Sequence, residues 1–337
     1  MKKVLSIVLS ALLLFCCAAP ALAAGDDTAS FGGYKHVFIM GVDGAGRFFK
    51  DADTPNFDRI FKDGAVDYTA RAETVTVSAQ NWGSILTGVS YDTHGFSNGW
   101  CEENERDSSS DNNSIFYYAR QAFPDAELVS FNNWSAINHG IIENDLNVKK
   151  INRGTDPLVV DAIVRYFEKG NTPKLMFVQL DSVDHAAHTY GGFSKQYYSA
   201  AEKADVYLGE IYDAIDARGL MKNSLFILVA DHGETTNGHG GQTKEESSAI
   251  LAVAGHSVNK TELNENVHNR DVAAIALYAL GIEQPDHMIA VVPSELFGES
   301  REKTVEPNPM SPALRGFRKL LYVFVRMVNL LVSIFDR

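Results

Sequence analysis

Cysteine is scarce in this chain of 337 residues. Two of its three cysteines, Cys16 and Cys17, lie in an apolar N-terminal stretch that we expect to be removed. Cys101 then has no partner in its own chain, which excludes an intrachain disulfide in the mature protein. We interpret Cys101 as a structural residue rather than a nucleophile, because no histidine-rich stretch surrounds it. Stability therefore has to come from the hydrophobic core, with bound metal as a second source.

Basic charge is also in short supply. Lys and Arg total 30 against 43 Asp and Glu, which gives a formal net charge of −13. An acidic chain repels a phosphate backbone, so we expect no binding of nucleic acid polymers. The composition, 45% hydrophobic and 22% charged, is typical of a globular protein with a sizeable core.

The N-terminus has the pattern of a signal peptide. Lys2 and Lys3 precede an apolar stretch over 4–17, and residues 21–23 fit a small-residue cleavage site. The stretch is short for a membrane span. We therefore predict a signal peptide over 1–24 and export to the periplasm or the cell exterior. Its removal takes two lysines and no acidic residue, which changes the net charge from −13 to −15.

The C-terminal end differs in composition from the body. We predict one catalytic domain over 25–305, followed by a linker and an apolar or amphipathic helix over 306–337. From Leu320 to Phe335 the tail is apolar with a narrow polar stripe. Sixteen helical residues reach about 24 Å, less than the roughly 30 Å of a hydrocarbon core. The tail therefore fits contact with a membrane surface, packing on the body, or contact with a second subunit.

Three short apolar runs end in loops that contain Asp. They cover 36–40, 175–180 and 225–230. Continuous apolar runs of this length predict strands that are buried on both faces. Helical patterns lie between them, one over 157–168 and one that begins after Ser194. The sequence therefore predicts an α/β fold with a mostly parallel central sheet and helices on both faces, and a ligand site at the carboxyl ends of the strands.

Residues that bind divalent metals cluster after these runs. Carboxylate and imidazole groups are common ligands of such ions. The candidates are Asp43, Asp184, His188, Asp231, His232 and His239. A single Asp-His pair is usually only solvated, but three sets at three strand ends predict two adjacent metal sites.

A hydroxyl-rich segment over 74–78 leads into a predicted helix. A hydroxyl at a helix N-terminus lies in the positive field of that end, and a nearby cation would make it a nucleophile. The candidate is Ser78, with Thr74 and Thr76 as nearby alternatives. From capping preferences alone, Ser78 would be interpreted as an N-cap.

Taken together, these motifs resemble the alkaline phosphatase superfamily, and within it the type I phosphodiesterase/nucleotide pyrophosphatase branch. The matching pieces are Gly-Val-Asp-Gly (41–44), Thr-Pro-Asn-Phe (54–57), the segment from Ser78 through Leu-Thr-Gly to His-Gly (78–95), Asp-Xaa-Xaa-Xaa-His-Xaa-Xaa-Gly (184–191), Asp-His-Gly (231–233) and His-Gly-Gly (239–241). The pieces occur in the family's order over most of the mature chain. The resemblance implies an alkaline phosphatase-like fold.

The resemblance also implies a ligand set. Asp184, His188 and His239 would hold one divalent ion. Asp43, Asp231, His232 and Ser78 would hold the other, and Zn²⁺ is expected in both sites. Asp181 and His185 have the same spacing as Asp184 and His188, but Gly191 lies seven residues after Asp184, as the family pattern requires. His256 and His268 remain alternatives to His239, because the last histidine of many relatives lies further along the chain.

The expected nucleophile is Ser78, counted back from the Leu-Thr-Gly motif. Diesterases often have Thr at this position. Sulfatases require Pro and Arg at positions that hold Gln80 and Trp82 here, which argues against a sulfatase. Asn81 and Asn98 are candidates for binding a phosphate oxygen, although Asn98 lies one residue away from the family position and serves equally well as a turn residue.

The function that follows is hydrolysis of a small-molecule phosphate ester by a two-metal enzyme. Cleavage of a diester or a pyrophosphate is the preferred hypothesis. Cleavage of a monoester is a close alternative, in which Arg47 would bind the terminal phosphate. Transfer of a phosphoryl group to a lipid or sugar is a third possibility. A non-catalytic binding protein is disfavoured, because every expected position holds a competent residue.

Overall fold

The computed structural model describes residues 33–263 and 266–297. The predicted signal peptide over 1–24 and the predicted linker and C-terminal helix over 306–337 lie outside these residues, so both stay predictions. Among the helices that the structure describes, none is both long enough and apolar enough to cross a membrane.

Eight strands form one sheet in the described part of the chain. They are β1 (His36–Val42), β2 (Ala65–Arg71), β3 (Leu128–Asn132), β4 (Lys149–Asn152), β5 (Leu175–Leu180), β6 (Ser224–Val229), β7 (Ser248–Ala254) and β8 (Thr261–Glu262). Their order across the sheet is β4-β3-β5-β1-β6-β7-β2-β8. All neighbours pair in parallel except β7, which runs antiparallel to both β6 and β2. The predicted mostly parallel sheet is confirmed.

The three predicted strands are β1, β5 and β6, and they lie side by side at the centre. β1 pairs with β5 on one side and with β6 on the other. Almost all of their residues are buried, as strands covered on both faces require. Because the three strands are parallel, the loops that follow them meet at one edge of the sheet.

Helices cover both faces of this sheet. They are α1 (Pro55–Phe61), α2 (Ser78–Thr87), α3 (Tyr91–His94), α4 (Asn98–Glu103), α5 (Ile115–Ala122), α6 (Asp156–Glu168), α7 (Ser182–Tyr190), α8 (Lys195–Asp216), α9 (Lys244–Ser247), α10 (Asp271–Leu280) and α11 (Ser294–Phe297), with short 3-10 turns at Phe48–Lys50 and Met221–Asn223 and a π-helical turn at Ile137–Ile141. Two predicted helices are confirmed as α6, whose N-cap is Thr155, and α8, whose N-cap Ser194 accepts a hydrogen bond from the amide of Tyr197.

The alternation of side chains along β1 builds two cores. Val37 and Ile39 pack with α2, α5 and α10 on one face. Phe38 and Met40 pack with α1, α6 and α8 on the other face. Successive side chains of a strand point to opposite faces, so a single apolar run supplies both cores. This packing holds the central strands rigidly and fixes the loops at their carboxyl ends.

A candidate two-metal site at the carboxyl edge of the sheet

The carboxyl edge of β5, β1 and β6 brings together the predicted acidic residues. Asp43 directly follows β1, and Asp231 lies two residues beyond the end of β6. Asp184 is in the first turn of α7, the helix that follows β5. Gly44 makes this approach possible, since it has a φ of +64° and a Cβ there would lie 2.9 Å from Cα of Asp184. The turn after β1 can therefore pass directly against α7.

The first cluster consists of Asp43, Asp231 and His232, all of which are buried. The Nε2 atom of His232 lies 3.1 Å from Oδ2 of Asp231 and 3.6 Å from Oδ1 of Asp43. The other oxygen of Asp231 accepts hydrogen bonds from the amides of Gly44 and His232 at 3.0 and 2.9 Å. The ligand atoms of the three residues thus converge, while the remaining oxygens are held in place.

Ser78 lies beside this first cluster. It is the first residue of α2, and the N-cap is Val77, so Ser78 does not act as the N-cap. Its hydroxyl oxygen lies 3.5 Å from Nε2 of His232. The hydroxyl is therefore directed to the cluster rather than committed to the backbone of its own helix.

The second cluster consists of Asp184, His188 and His239. The Nε2 atoms of the two histidines lie 3.3 and 3.4 Å from the carboxylate oxygens of Asp184, and 3.0 Å from each other. The Nδ1–H group of His239 donates to the backbone oxygen of Thr76 at 2.6 Å. This bond leaves the lone pair on Nε2 facing Asp184, which is the usual arrangement of a histidine that binds metal.

The structure also places the alternative residues. Asp181 accepts a hydrogen bond from Gln179 at 2.9 Å, and the same amide group donates to Asp43 at 3.0 Å. His185 is exposed. The arrangement therefore puts Asp184 and His188 in the cluster and makes Asp181 a support for it.

The two other candidate histidines lie elsewhere. The ring of His256 packs on Tyr34, with 4.4 Å between the ring centroids. His268 lies beside Arg71 at the end of β2. Among the described histidines that were alternatives for the last ligand, His239 is the one beside Asp184.

Glu234 is a site residue that the sequence analysis missed. Its side chain is buried, and its carboxylate lies with Asp184, His232 and His239 in one group whose ligand atoms are all within 4.8 Å of one another. Burial first, and then the charge of Asp184, raises the pKa of Glu234 to about 11. The available signal was its position directly after the Asp-His-Gly motif. His232 belongs to both groups and so lies between the two clusters.

The buried acids lack compensating charge. Burial, and then the charge of neighbouring carboxylates, raises the pKa of Asp43 well above its ordinary value. Burial likewise raises the pKa of Asp231, and it lowers the pKa of His232 and His239. Several buried atoms have no hydrogen-bond partner in the described structure, namely Oδ1 of Asp43, Oδ1 of Asp184, Oδ2 of Asp231 and both carboxylate oxygens of Glu234. Carboxylate and imidazole groups with such free atoms fit divalent cations of the zinc type.

Further residues that sequence reasoning missed hold the ligands in place. The indole N–H of Trp82 donates to Oδ2 of Asp43 at 2.8 Å, next to the bond from Gln179. The amide group of Asn269 donates to the backbone oxygen of Asp231 at 2.7 Å and to the side chain of Asn81 at 3.0 Å. Such supporting bonds fix the orientation of metal ligands.

The two asparagines proposed for phosphate binding have different surroundings. Asn81 is buried, accepts from the amide of Glu73 at 2.7 Å, and donates to the backbone oxygens of Val75 and Val77 at 3.4 and 3.2 Å. Its amide thus shapes the turn before Ser78. Asn98 is half-buried, and its carbonyl oxygen accepts from the amide of Ala79, directly after Ser78, at 3.0 Å. Phosphate binding by either residue stays a prediction.

We expect Glu234→Gln to weaken metal binding at the second cluster by about ten- to a hundredfold. The amide removes a negative ligand but keeps the shape of the side chain. The same change should raise the thermal stability of the metal-free protein, because that state must either protonate Glu234 or bury its charge. Competition with a chromogenic chelator measures the affinity. Glu245→Gln, an equal charge change at a half-buried neighbour, is the control, and unchanged affinity in Glu234→Gln would contradict the assignment.

Known proteins share sequence features and the fold with this chain. The sequence model of one family, described as type I phosphodiesterase/nucleotide pyrophosphatase, matches residues 37–311. GPI ethanolamine phosphate transferase 1 of Saccharomyces cerevisiae is 23% identical over 139 residues, which are 35% of this chain and 15% of the relative. The match thus spans less than a fifth of that relative's length.

Two solved structures show the same fold. Murine ectonucleotide pyrophosphatase/phosphodiesterase 5, in an inactive form in complex with AMP, has a TM-score of 0.60 and 13% identity, and the match covers 75% of this chain and 96% of that one. A 2-O GAG sulfatase has a TM-score of 0.65 and 11% identity, with 80% and 76% covered. The expected alkaline phosphatase-like fold is confirmed.

Proposed function

The chain belongs to the type I phosphodiesterase/nucleotide pyrophosphatase family, and from this membership and the site geometry we propose that it cleaves phosphate esters with Ser78 as the nucleophile. The observation that carries the proposal is the position of the Ser78 hydroxyl, 3.5 Å from Nε2 of His232 at the edge of a buried carboxylate cluster.

Two divalent cations are part of the proposal, and Zn²⁺ fits the mixed oxygen and nitrogen ligands best. Asp43, Asp231, His232 and Ser78 would hold one ion. Asp184, His188 and His239 would hold the other, with Glu234 as an additional ligand or support. The cations supply a lowered pKa for the Ser78 hydroxyl and charge stabilisation for the phosphate oxygens.

The residues of the chain perform the remaining steps of the proposed reaction. The Ser78 oxygen attacks phosphorus in line with the leaving ester oxygen, so that an Oγ–P bond forms while the P–O bond of the ester breaks. The amino end of α2 places positive backbone dipoles beside the phosphate. The Ser78 proton leaves with the ester oxygen. Water then attacks the phospho-Ser78, so that a new P–O bond forms while the Oγ–P bond breaks, and a proton of that water returns to the Ser78 oxygen as the product leaves.

Cleavage of a diester or pyrophosphate is the leading reaction, since that is the activity for which the family is named. It is tested by kcat/KM of the zinc-loaded mature protein on matched aryl phosphate diester and monoester substrates. We expect the diester to be preferred. A monoester preference would contradict this choice and direct attention to Arg47, whereas two bound metals with neither substrate cleaved would contradict both.

Transfer to an alcohol is the second candidate function. It is favoured by the similarity to a GPI ethanolamine phosphate transferase over 35% of the chain. If the phospho-Ser78 species reacts with an alcohol rather than water, added glycerol should divert product from the free phosphate ester to the glycerol ester. Product analysis by phosphorus NMR separates the two reactions, and a product ratio that does not respond to glycerol would contradict transfer.

We expect Asn98→Ala and Asn81→Ala to act in different ways. The Asn98 side chain lies one hydrogen bond away from the start of α2, so its loss should raise KM about tenfold with little change in stability. The Asn81 side chain makes several buried hydrogen bonds, so its loss should lower the free energy of unfolding by about 2 kcal/mol or more. Urea unfolding with steady-state kinetics distinguishes them, and an unchanged KM in Asn98→Ala would remove that residue from the substrate site.

The proposed location is outside the cytoplasm, which is supported by the residue pattern of the N-terminus. N-terminal sequencing of the protein recovered from the producing cell is expected to begin at Gly25. Contact of the segment from Leu320 to Phe335 with a membrane surface is part of the same proposal. It predicts that the chain co-sediments with anionic vesicles and that a chain ending at residue 305 does not.

A further inference from the structure

A cavity opens at the same edge of the sheet as the site described above. It has a volume of about 550 Å³. Its lining includes the basic side chains of Arg71, Lys244 and Arg270, together with His268, Glu73 and Thr74. Arg71 is the last residue of β2, and Lys244 is the first residue of α9. Three basic groups at one cavity are unexpected in a chain with a net charge of −13.

Most of this positive charge is uncompensated. Glu73 forms an ion pair with Arg270. Neither Arg71 nor Lys244 has an ion-pair partner among the described residues. Two positive charges therefore remain after the pair with Glu73 is counted.

The side chains of Arg270 and His268, which line the cavity, also indicate an excess of positive charge. The Nε atom of Arg270 is buried and has no hydrogen-bond partner in the described structure. Burial, followed by the charges of Arg270 and Arg71, lowers the pKa of His268 to about 3, so the imidazole is neutral at neutral pH. A buried donor without an acceptor carries a free-energy cost that an anion would remove.

The register of the sheet gives the distance between this cavity and the candidate two-metal site. β7 lies between β6 and β2, with Arg71 opposite Ser248 and Val229 opposite Leu251. The pairing with β7 continues past Val229, because the amide of Ala230 donates to the backbone oxygen of Ile250 at 3.0 Å, and Asp231 therefore lies level with Ala249 and Ala70. Neighbouring strands are about 4.8 Å apart, so the backbones of Asp231 and Ala70 are roughly 10 Å apart. The segment that lines the cavity at Glu73 and Thr74 continues into Ser78 only four residues later. One extended molecule can therefore reach both places.

We propose that this cavity binds a tetrahedral oxyanion, either a second phosphate-type group on the substrate, about 10 Å from the ester that is cleaved, or a free anion of the same chemistry. Guanidinium and ammonium groups are the usual partners of such anions. The substrate version rests on the proposed function, whereas binding of a free anion does not.

The substrate version is tested with two aryl alkyl phosphate diesters that differ at the far end of the alkyl chain. One ends in a phosphonate and the other in a hydroxyl, and the chain is long enough to span about 10 Å. We expect the wild-type protein to favour the phosphonate by at least about tenfold in kcat/KM. In Arg71→Met/Lys244→Met this ratio should fall to about one. Lys169→Met/Lys222→Met removes the same charge at the opposite edge of the sheet and should leave the ratio unchanged.

The free anion is tested by calorimetric titration of the same proteins with sulfate. All variants retain the metal cluster, so sulfate that binds there is the same in each of them. Sulfate binding at the cavity is the part that Arg71→Met/Lys244→Met loses and that the control variant keeps. If the wild-type protein cleaves the two diesters with equal kcat/KM, but Arg71→Met/Lys244→Met loses sulfate binding, the cavity binds free anions. If the wild-type protein shows equal kcat/KM for the two diesters and Arg71→Met/Lys244→Met binds sulfate as the wild-type protein does, the inference is overturned. If the wild-type protein cleaves neither diester, the proposed function fails, and the sulfate titration still decides whether the cavity binds an anion.

Discussion

Replacing Ser78 with Ala is expected to lower kcat for phosphate ester cleavage by at least about a thousandfold, since nucleophile removal in other hydrolases has effects of this size or larger. The metal content should stay close to that of the wild-type protein. Asp43, Asp231 and His232 would still offer three ligand atoms to an ion when the hydroxyl is lost. Methyl replacement at the first position of α2 also leaves the helix intact, because its N-cap is Val77.

The matched control for this change is Ser84→Ala. Ser84 lies in the same helix and is also buried, and its hydroxyl contacts Nε2 of His94 at 3.1 Å. We expect this variant to lose some stability but to keep kcat within about threefold of the wild-type value. Turnover and metal content are measured on the same preparations. Near-normal turnover in Ser78→Ala would exclude a covalent route through this residue.

Asp231→Asn is expected to have the second large effect. Asp231 places one oxygen 3.1 Å from Nε2 of His232, while its other oxygen accepts two backbone amides. An amide of the same shape is a poor ligand, so we expect the metal content to fall from two ions per chain to one. Activity should fall by at least about a thousandfold, because the ion beside Ser78 is the one that is lost.

The same substitution should have the opposite effect on the metal-free protein. Burial and nearby carboxylates raise the pKa of Asp231. A carboxyl whose pKa is raised by folding destabilises the folded state at pH values above its unfolded pKa of about 3.9, because the unfolded chain ionises freely there. At pH 7 the chelated Asp231→Asn protein should therefore melt at a higher temperature than the chelated wild-type protein.

This reversal separates a metal ligand from an ordinary structural carboxylate. With metal present, the wild-type protein should be the more stable of the two, because bound ions stabilise only the folded state that they bind. Differential scanning calorimetry with and without chelator shows which of the two proteins has the higher melting temperature in each condition. The control is Asp205→Asn, since Asp205 is also buried but accepts hydrogen bonds from Asn56 and Phe57 on α1. It should destabilise the protein in both conditions, and the same behaviour in Asp231→Asn would contradict a metal-binding role.

Much of the fold could be predicted because each central strand is recognisable from its own short stretch of sequence. Each of β1, β5 and β6 is a continuous apolar run, and the alternation of Val37, Phe38, Ile39 and Met40 between the two faces of the sheet follows from strand geometry alone. The antiparallel direction of β7 was not predicted, because the direction of a buried strand depends on its pairing partners and not on its composition.

The candidate site was predicted less completely than the fold. The motif positions of Asp43, Asp231 and His232 were sufficient to place them together. Glu234 was missed, although it directly follows the Asp-His-Gly motif, because only burial reveals that its carboxylate turns inward. Trp82 was considered only as evidence against a sulfatase, and its bond to Asp43 at 2.8 Å depends on the packing of α2 against β1.

The α/β order of elements, the acidic and histidine residues after buried strands, and the hydroxyl at the start of α2 can all be recognised without a structure. These are local properties, set by hydrophobic pattern and by residue type at each strand end. Only the folded chain shows that His239 lies beside Asp184, that Asp181 contacts Gln179, and that His256 and His268 lie elsewhere. The tertiary structure also placed Glu234 in the site and brought Arg71, Lys244 and Arg270 to one cavity. Those placements depend on strand order and on which helix face is buried, so they exist only when residues far apart in the chain are packed together.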